Sequence, residues 1–283
     1  MDQKIITLFD TFTHGGISRR EFLDRLALMA GSTTAATALL PVLENNYAMA
    51  EMVAMDDARL TLTDAELAPG IKGHLAFPKD ASGRLPAVIV IHENRGLNPH
   101  IKDVTRRMAL EGFVAFGVDY LSPLGGTPED ADKARDMIGT LKQEDVVATS
   151  KAVLAALAGH EKSNGKVGAM GFCWGGGQVN ALAGADPNLS AGVAYYGRQA
   201  AAADVANIKA PLMLHYAALD ERINAGIGEF EAALKAGSKT YELHLYEGAN
   251  HAFNNDTNAA RYNRQAADLA WGRTVAFLKT HTG

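Results

Sequence analysis

The chain has 283 residues, enough for one large α/β domain or two small ones. Apolar residues make up 47% and charged residues 21%, an ordinary globular balance, and a net charge of −5 gives no basic footprint for nucleic acid. One cysteine excludes an internal disulfide and the zinc motifs built on cysteine pairs.

The first fifty residues carry three features in the order of an export signal. Ser18-Arg19-Arg20-Glu21-Phe22-Leu23 resembles the twin-arginine motif, an apolar stretch runs from Leu26 to Leu43 with a break at Pro41, and Ala48-Met49-Ala50 is a small-x-small cleavage site. Gly31 and the threonines make the stretch a poor membrane span. The expectation is an export segment over residues 1–50, handled by export machinery, and a single periplasmic domain over 51–283. The alternative is a cytoplasmic protein that keeps an amphipathic helix, with Phe22, Leu26 and Met29 on one face. That helix would dock on the body of the chain or on a second copy in a homodimer.

Ala58 to Leu67 and Ile71 to Phe77 read as two strands joined through Pro69-Gly70, an antiparallel hairpin at a sheet edge. Pro86 to His92 is a continuous apolar run of the kind found in a central parallel strand. A helix over about Ile101 to Glu111, closed by Gly112, leads to a strand over Phe113 to Asp119. After a Gly/Pro-rich loop, helices are expected at 129–139 and 143–159. The next strand, Lys166 to Phe172, is followed by a helix reaching about Gly184. Strands over Ala191 to Tyr196, Pro211 to Tyr216 and Thr240 to Tyr246 follow, with a helix over 222–236 between the last two. A closing helix is expected from about Asn258 to Lys279. Strands alternating with helices predict a mostly parallel sheet covered on both faces, with ligands beyond the carboxyl ends of its strands.

Gly171-Phe172-Cys173-Trp174-Gly175 is a G-x-nucleophile-x-G elbow with cysteine where serine is usual, the signature of the α/β-hydrolase fold. Its glycines relieve crowding at a sharp strand-to-helix turn. Asp220 and His251 lie just past later strand ends, so the chain order is nucleophile, acid, histidine. In that arrangement His251 takes the thiol proton and Asp220 fixes the imidazole tautomer. Taken singly each has a plainer role: Cys173 a packed thiol, Asp220 a helix cap, His251 a loop residue. Glu93 follows the central strand directly. The backbone N–H groups of Asn94 and Trp174 are the expected oxyanion donors. The plainer role for Glu93 is an ion pair with Arg95 or Arg135. Gly96 stands where a zinc motif starting at His92 would need its second histidine, so no metal is expected. The Gly175–Gly177 run lacks the spacing of a dinucleotide fingerprint, so no cofactor is expected.

Gly-Phe-Cys-Trp-Gly-Gly-Gly, with His-Glu-Asn-Arg-Gly, Asp220 and Asn-His-Ala-Phe, resembles the dienelactone hydrolases (carboxymethylenebutenolidases) over roughly residues 57–280. The resemblance implies a cysteine-dependent hydrolase of lactones or small carboxylic esters, working through an acyl-enzyme. It makes Cys173 the nucleophile, His251 the base, Asp220 its partner, and Glu93 the group that takes the thiol proton when substrate displaces it. Family members hold the substrate carboxylate with arginines, one of them four residues after the catalytic histidine, where this chain has Asn255. Arg95, Arg135 and Arg198 are the candidate substitutes. Two other readings stay open: a general esterase, thioesterase or peptidase on the same fold, and a non-catalytic protein that binds or senses through its thiol.

Overall fold

The computed structural model describes residues 1–47 and 51–283, so the Ala48-Met49-Ala50 cleavage site lies outside the described residues. Three helices open the chain: α1 (Gln3–Thr13), α2 (Arg19–Ala30) and α3 (Thr33–Leu43). Ser18 caps α2 by accepting from the Glu21 N–H, and Ser32 caps α3 in the same way from Ala35. Phe9, Phe12, Phe22, Leu26, Ala36 and Leu43 bury themselves in a small core of their own. Phe22 and Leu26 are thus on a buried face, whereas Met29 is half exposed. Among the described residues no single helix is long and apolar enough to cross a membrane. Helices α2 and α3 together have the length and composition but are bent by 112°.

The body is one eight-stranded sheet. Strands β1 (Leu60–Ala68) and β2 (Ile71–Pro78) form the expected edge hairpin. They are followed by β3 (Leu85–Ile91), α4 (Pro99–Leu110), β4 (Val114–Val118), α5 (Ala131–Ile138) and α6 (Gln143–Ala158). Then come β5 (Ser163–Phe172), α7 (Trp174–Ala185), β6 (Ala191–Tyr195), α8 (Ala202–Val205) and β7 (Leu212–Ala217). Helices α9 (Glu221–Asn224) and α10 (Ile227–Ala236), strand β8 (Tyr241–Tyr246) and helix α11 (Arg264–Thr282) complete the chain. The spatial order is β1-β2-β4-β3-β5-β6-β7-β8, antiparallel in its first three strands and parallel from β4 to β8.

Strand alternation sorts the core into two layers. Val88 and Val90 of β3 pack with Ile101, Val104 and Met108 of α4 and Phe277 and Leu278 of α11. Ala87, Ile89 and Ile91 turn the other way, onto Val153 and Leu157 of α6 and Leu182 of α7. All five β3 residues are fully buried, and each large side chain contributes ~1.5–3 kcal/mol. The chain runs from β3 outward to β4 on one side and then crosses back past β3 to β5 on the other, so the switch in strand order falls between β3 and β5. Ile91 pairs with Gly171 there, and the loops carrying Glu93 and Cys173 leave side by side.

Two expected helices differ. The one over 222–236 is broken at Ala225-Gly226 into α9 and α10. The closing helix starts at Arg264, capped by Asn263, rather than near Asn258. Asn258 instead donates to the Leu43 carbonyl at 2.5 Å and to Asn45 Oδ1 at 2.9 Å, a use of its side chain that holds the preceding loop against the N-terminal helices.

Candidate active site

Cys173 sits between β5 and α7 with φ 53° and ψ −112°, a backbone conformation that side-chain-bearing residues rarely adopt. Its N–H donates to the Tyr195 carbonyl at 3.0 Å. The glycines around it are required by contact as well as by turn geometry. A Cβ on Gly171 would overlap the Gly175 carbonyl, one on Gly175 the carbonyls of Ile91 and His92, and one on Gly176 the Tyr195 carbonyl. Helix α7 therefore starts hard against the sheet, and its first-turn N–H groups, Trp174 included, have no intrahelical acceptors. The Trp174 ring stacks on His92 at 5.2 Å.

His251 follows β8, and Ala252 just after it takes a positive φ. Its Nδ1–H donates to Asp220 Oδ2 at 2.5 Å, and its Nε2 is buried without a partner. Asp220 also caps α9, accepting from the Ile223 N–H at 3.2 Å through Oδ1. The helix-cap role and the histidine-partner role thus coexist in one carboxylate. Burial pushes the Asp220 carboxyl up, but the charge and hydrogen bond of His251 outweigh it and hold it below the usual carboxylate range.

A group that the sequence reading left in the export segment reaches the thiol. His14, at the C-terminal cap of α1, places Nε2 3.2 Å from Cys173 Sγ. Its Nδ1–H donates to the Asp10 carbonyl at 2.8 Å and lies 3.3 Å from Asp10 Oδ1. The His14 and His251 rings meet edge to face with centroids 4.7 Å apart. Burial pushes the His14 imidazole down, but its contacts with Cys173 and the Asp10 hydrogen bond raise it to about 9. Asp10 itself is held well below the usual range: burial raises it, and the charges of His251, His14 and Arg261 with the His14 hydrogen bond outweigh that. Arg222 Nη2 is 3.1 Å from His14 Nε2 and 3.5 Å from His251 Nδ1. One nitrogen cannot both donate to sulfur and accept from Arg222. The raised titration of His14 selects donation to sulfur, with Arg222 as a neighbouring cation.

Glu93 is buried, and its Oε2 accepts from Asn255 Nδ2 at 2.8 Å rather than facing an arginine. Asn255 is in turn held by Thr257, whose N–H and hydroxyl both donate to its Oδ1. Arg95 and Arg135 both donate to Asp132 Oδ1, at 2.9 and 3.0 Å, and Arg19 donates to Oδ2 at 3.0 Å. The plainer alternative for Glu93, a pairing with Arg95 or Arg135, is therefore replaced by two separate contacts. Arg198 is exposed and borders an open hollow on the Trp174 side of the thiol. Asn94 uses its side chain to donate to the Thr13 carbonyl at 2.7 Å.

These groups border a cavity of about 310 Å³ between the N-terminal helices and the strand ends. Cys173, His251, Glu93 and Arg95 line it together with His14, Tyr47 and Arg261, which sequence reasoning missed. The signal for the first was the Asp10-to-His14 spacing, which puts both residues on one helix face. For metal, Cys173 Sγ and one nitrogen each of His14 and His251 lie within 4.8 Å of one another. Such a thiolate–imidazole donor set suits zinc or copper.

Residues 71–282 match the model of the dienelactone hydrolase family, and residues 1–31 match a separate model described as YqhI-like. A Bradyrhizobium relative described as a candidate 2-oxo-3-(5-oxofuran-2-ylidene)propanoate lactonase is 34% identical over 74% of this chain and 88% of its own length. A Saccharolobus solfataricus relative described as a candidate carboxymethylenebutenolidase is 31% identical over 74% of this chain and 93% of its own. A crystal structure from Klebsiella pneumoniae, described as a candidate dienelactone hydrolase, superposes with a TM-score of 0.70 at 27% identity, covering 78% of this chain and 98% of that one. The chain belongs to the dienelactone hydrolase family, ester-bond hydrolases of the α/β-hydrolase fold.

Proposed function

We propose that the protein hydrolyses lactones or small carboxylic esters through a covalent acyl-enzyme on Cys173. The observation that carries this is the convergence of a strained-elbow thiol and a His251–Asp220 pair on one small cavity. The sulfur lone pair forms the C–S bond at the carbonyl carbon, and the carbonyl π pair moves to oxygen. The N–H groups of Trp174 and Asn94 stabilise that oxyanion. Collapse breaks the C–O bond, and the leaving oxygen takes the proton that left the thiol. Water then gives a proton to His251 Nε2, its oxygen attacks the thioester, and the sulfur leaves with the C–S electron pair. Asp220 keeps Nδ1 protonated, so that Nε2 is the basic nitrogen.

The substrate class draws on the lactonase and butenolidase descriptions of the relatives and on the Arg95 and Arg261 lining. The test is loss of dienelactone absorbance and release of p-nitrophenol from short esters, with full-length wild type beside Cys173→Ala. Turnover of the lactone by wild type alone supports the whole proposal. Cleavage of esters but not lactone keeps the chemistry and replaces the substrate with a general ester. Equal turnover by both proteins would refute Cys173 as nucleophile.

A further inference from the structure

We propose that residues 1–47 are a retained cap that completes the active site, and that His14, steadied by Asp10, is the group that holds the Cys173 thiolate in the resting protein. This rests on the Cys173 reading and specifies its resting state. The family match begins at residue 71, so it assigns nothing to His14.

The first support is what contacts the sulfur. Among the described residues the hydrogen-bond partner of Sγ is His14 Nε2, while Glu93 is engaged by Asn255 and His251 Nε2 has no partner. The groups facing His14 are Asp10 from α1, Cys173 from the elbow, Arg222 from α9, and His251 from the loop after β8. Arg261, from the same loop as His251, faces Asp10 at 3.6 Å. The thiolate and Asp10 favour a cationic His14, as does its position at the end of α1, where the helix dipole is negative. Arg222 and His251 oppose it. A cationic His14 has an acceptor for each ring nitrogen, the Asp10 carbonyl at 2.8 Å from Nδ1 and the sulfur at 3.2 Å from Nε2. The thiol proton is then stored on His14 and passes to the leaving oxygen when the C–O bond breaks. His251 is left to take the proton from water and, as the sulfur leaves as thiolate and the product departs as the acid, to return that proton to the adjacent His14, restoring the resting pair.

The second support is how the cap is joined to the body. Arg19, the first arginine of the export-like motif, is ion-paired to Asp132, which also holds Arg95 of the cavity wall. Fully buried Asn258 spends its amide on Leu43 and Asn45, and the Asn46 N–H donates to the Thr257 carbonyl at 2.8 Å. Asn94, beside the oxyanion site, donates to Thr13. A body without these helices would leave Asn258 and Asn94 without those acceptors and open the thiol to solvent.

The experiment compares full-length wild type, His14→Gln and Asp10→Asn, with Cys173→Ala as the alkylation blank. Iodoacetamide labelling at pH 6 reads the thiolate without any substrate, and ester or lactone kcat/KM is read beside it. An unassisted thiol near 8.5 is under ~1% ionised at pH 6. His14→Gln should therefore slow labelling by at least ~10-fold and lower kcat/KM similarly, with Asp10→Asn falling between. Thermal midpoints and limited proteolysis confirm that the cap stays docked in both variants. Unchanged labelling and turnover in His14→Gln would overturn the proposal while leaving the Cys173 mechanism intact. A rise in turnover would overturn it in favour of a cap that plugs the site. Mass spectrometry of protein from the native cell is the last arm: a chain starting near Glu51 with the full-length labelling rate would restore export and cleavage.

Discussion

Asp220→Asn tests the division of labour between the two histidines. The wild-type carboxylate spends Oδ2 on His251 Nδ1–H at 2.5 Å and Oδ1 on the Ile223 N–H at 3.2 Å. An amide has one acceptor for these two donors. If its oxygen stays on Ile223, the NH2 faces His251 and drives the imidazole proton to Nε2, which can then accept nothing from water. If it turns to His251, two donors collide at the start of α9 instead. Either way kcat should fall ~10²–10⁴-fold, equivalent to ~3–5 kcal/mol of barrier, with KM falling alongside it as deacylation becomes limiting. Loss of the cap geometry should cost stability by ~1 kcal/mol. The ionic part has a definite sign. A carboxyl depressed in the fold stabilises it above its ordinary value near 3.9, and that gain is lost as pH falls through the depressed value. The stability gap between wild type and variant should therefore hold at neutral pH and narrow in acid. Because His14 keeps the thiolate, acylation should survive better than deacylation. Stopped-flow measurement with a p-nitrophenyl ester should show a burst of about one leaving group per chain, then slow turnover. A kcat within about threefold of wild type would refute the assignment of His251 and Asp220.

Two further outcomes follow from the geometry around them. Asn255→Ala removes the donor to buried Glu93 Oε2 and the acceptor for Thr257, and should cost ~1–3 kcal/mol in urea denaturation; no loss would mean that Glu93 finds another partner. Micromolar zinc should inhibit wild type reversibly, because Sγ and both imidazoles converge while Asp10 and Asp220 occupy the far nitrogens as outer-shell partners. His14→Gln should raise the inhibitory concentration at least ~10-fold, and equal inhibition of both proteins would place the metal elsewhere.

Much of the body was legible because its signals are local. The run from Pro86 to His92 has no polar residue before its last position, so only a strand covered on both faces suits it, and β3 is that strand. The elbow was legible because a cysteine at positive φ, in a turn pressed against carbonyls on two sides, restricts its neighbours to glycine within seven residues of sequence. The break between α9 and α10 was harder. Residues 222–236 keep a helical apolar period, and only the Gly226 position, where a Cβ would strike Gln199, separates one helix from two. The start of α11 was misplaced for a related reason. Asn258 looks like a helix cap in sequence, yet its side chain serves Leu43 and Asn45, more than two hundred residues earlier.

If residues 1–47 are the retained cap proposed above, the N-terminal helices pose the same difficulty at larger scale. An export signal and a docked helical cap ask the same thing of a short segment: apolar residues at helical spacing, small residues, and basic residues ahead of them. Local sequence cannot separate the two, because what distinguishes them lies on the other side of the contact. Arg19 reads as half of a motif until Asp132 is opposite it, and Phe22 as part of a signal until Phe12 stacks on it with Phe9 tilted alongside. His14 reads as a solvated loop residue until a thiol 159 positions away stands 3.2 Å from its ring. Burial opposes each charge of such a pair, and the close approach of His14 to the sulfur, set by the docked cap, has to offset that cost. Docking of the helices and ionisation of the thiol are therefore one event. A substitution that loosens the cap without touching His14, such as Phe12→Ala in its small core, should slow Cys173 labelling at pH 6 in proportion to the cap it releases.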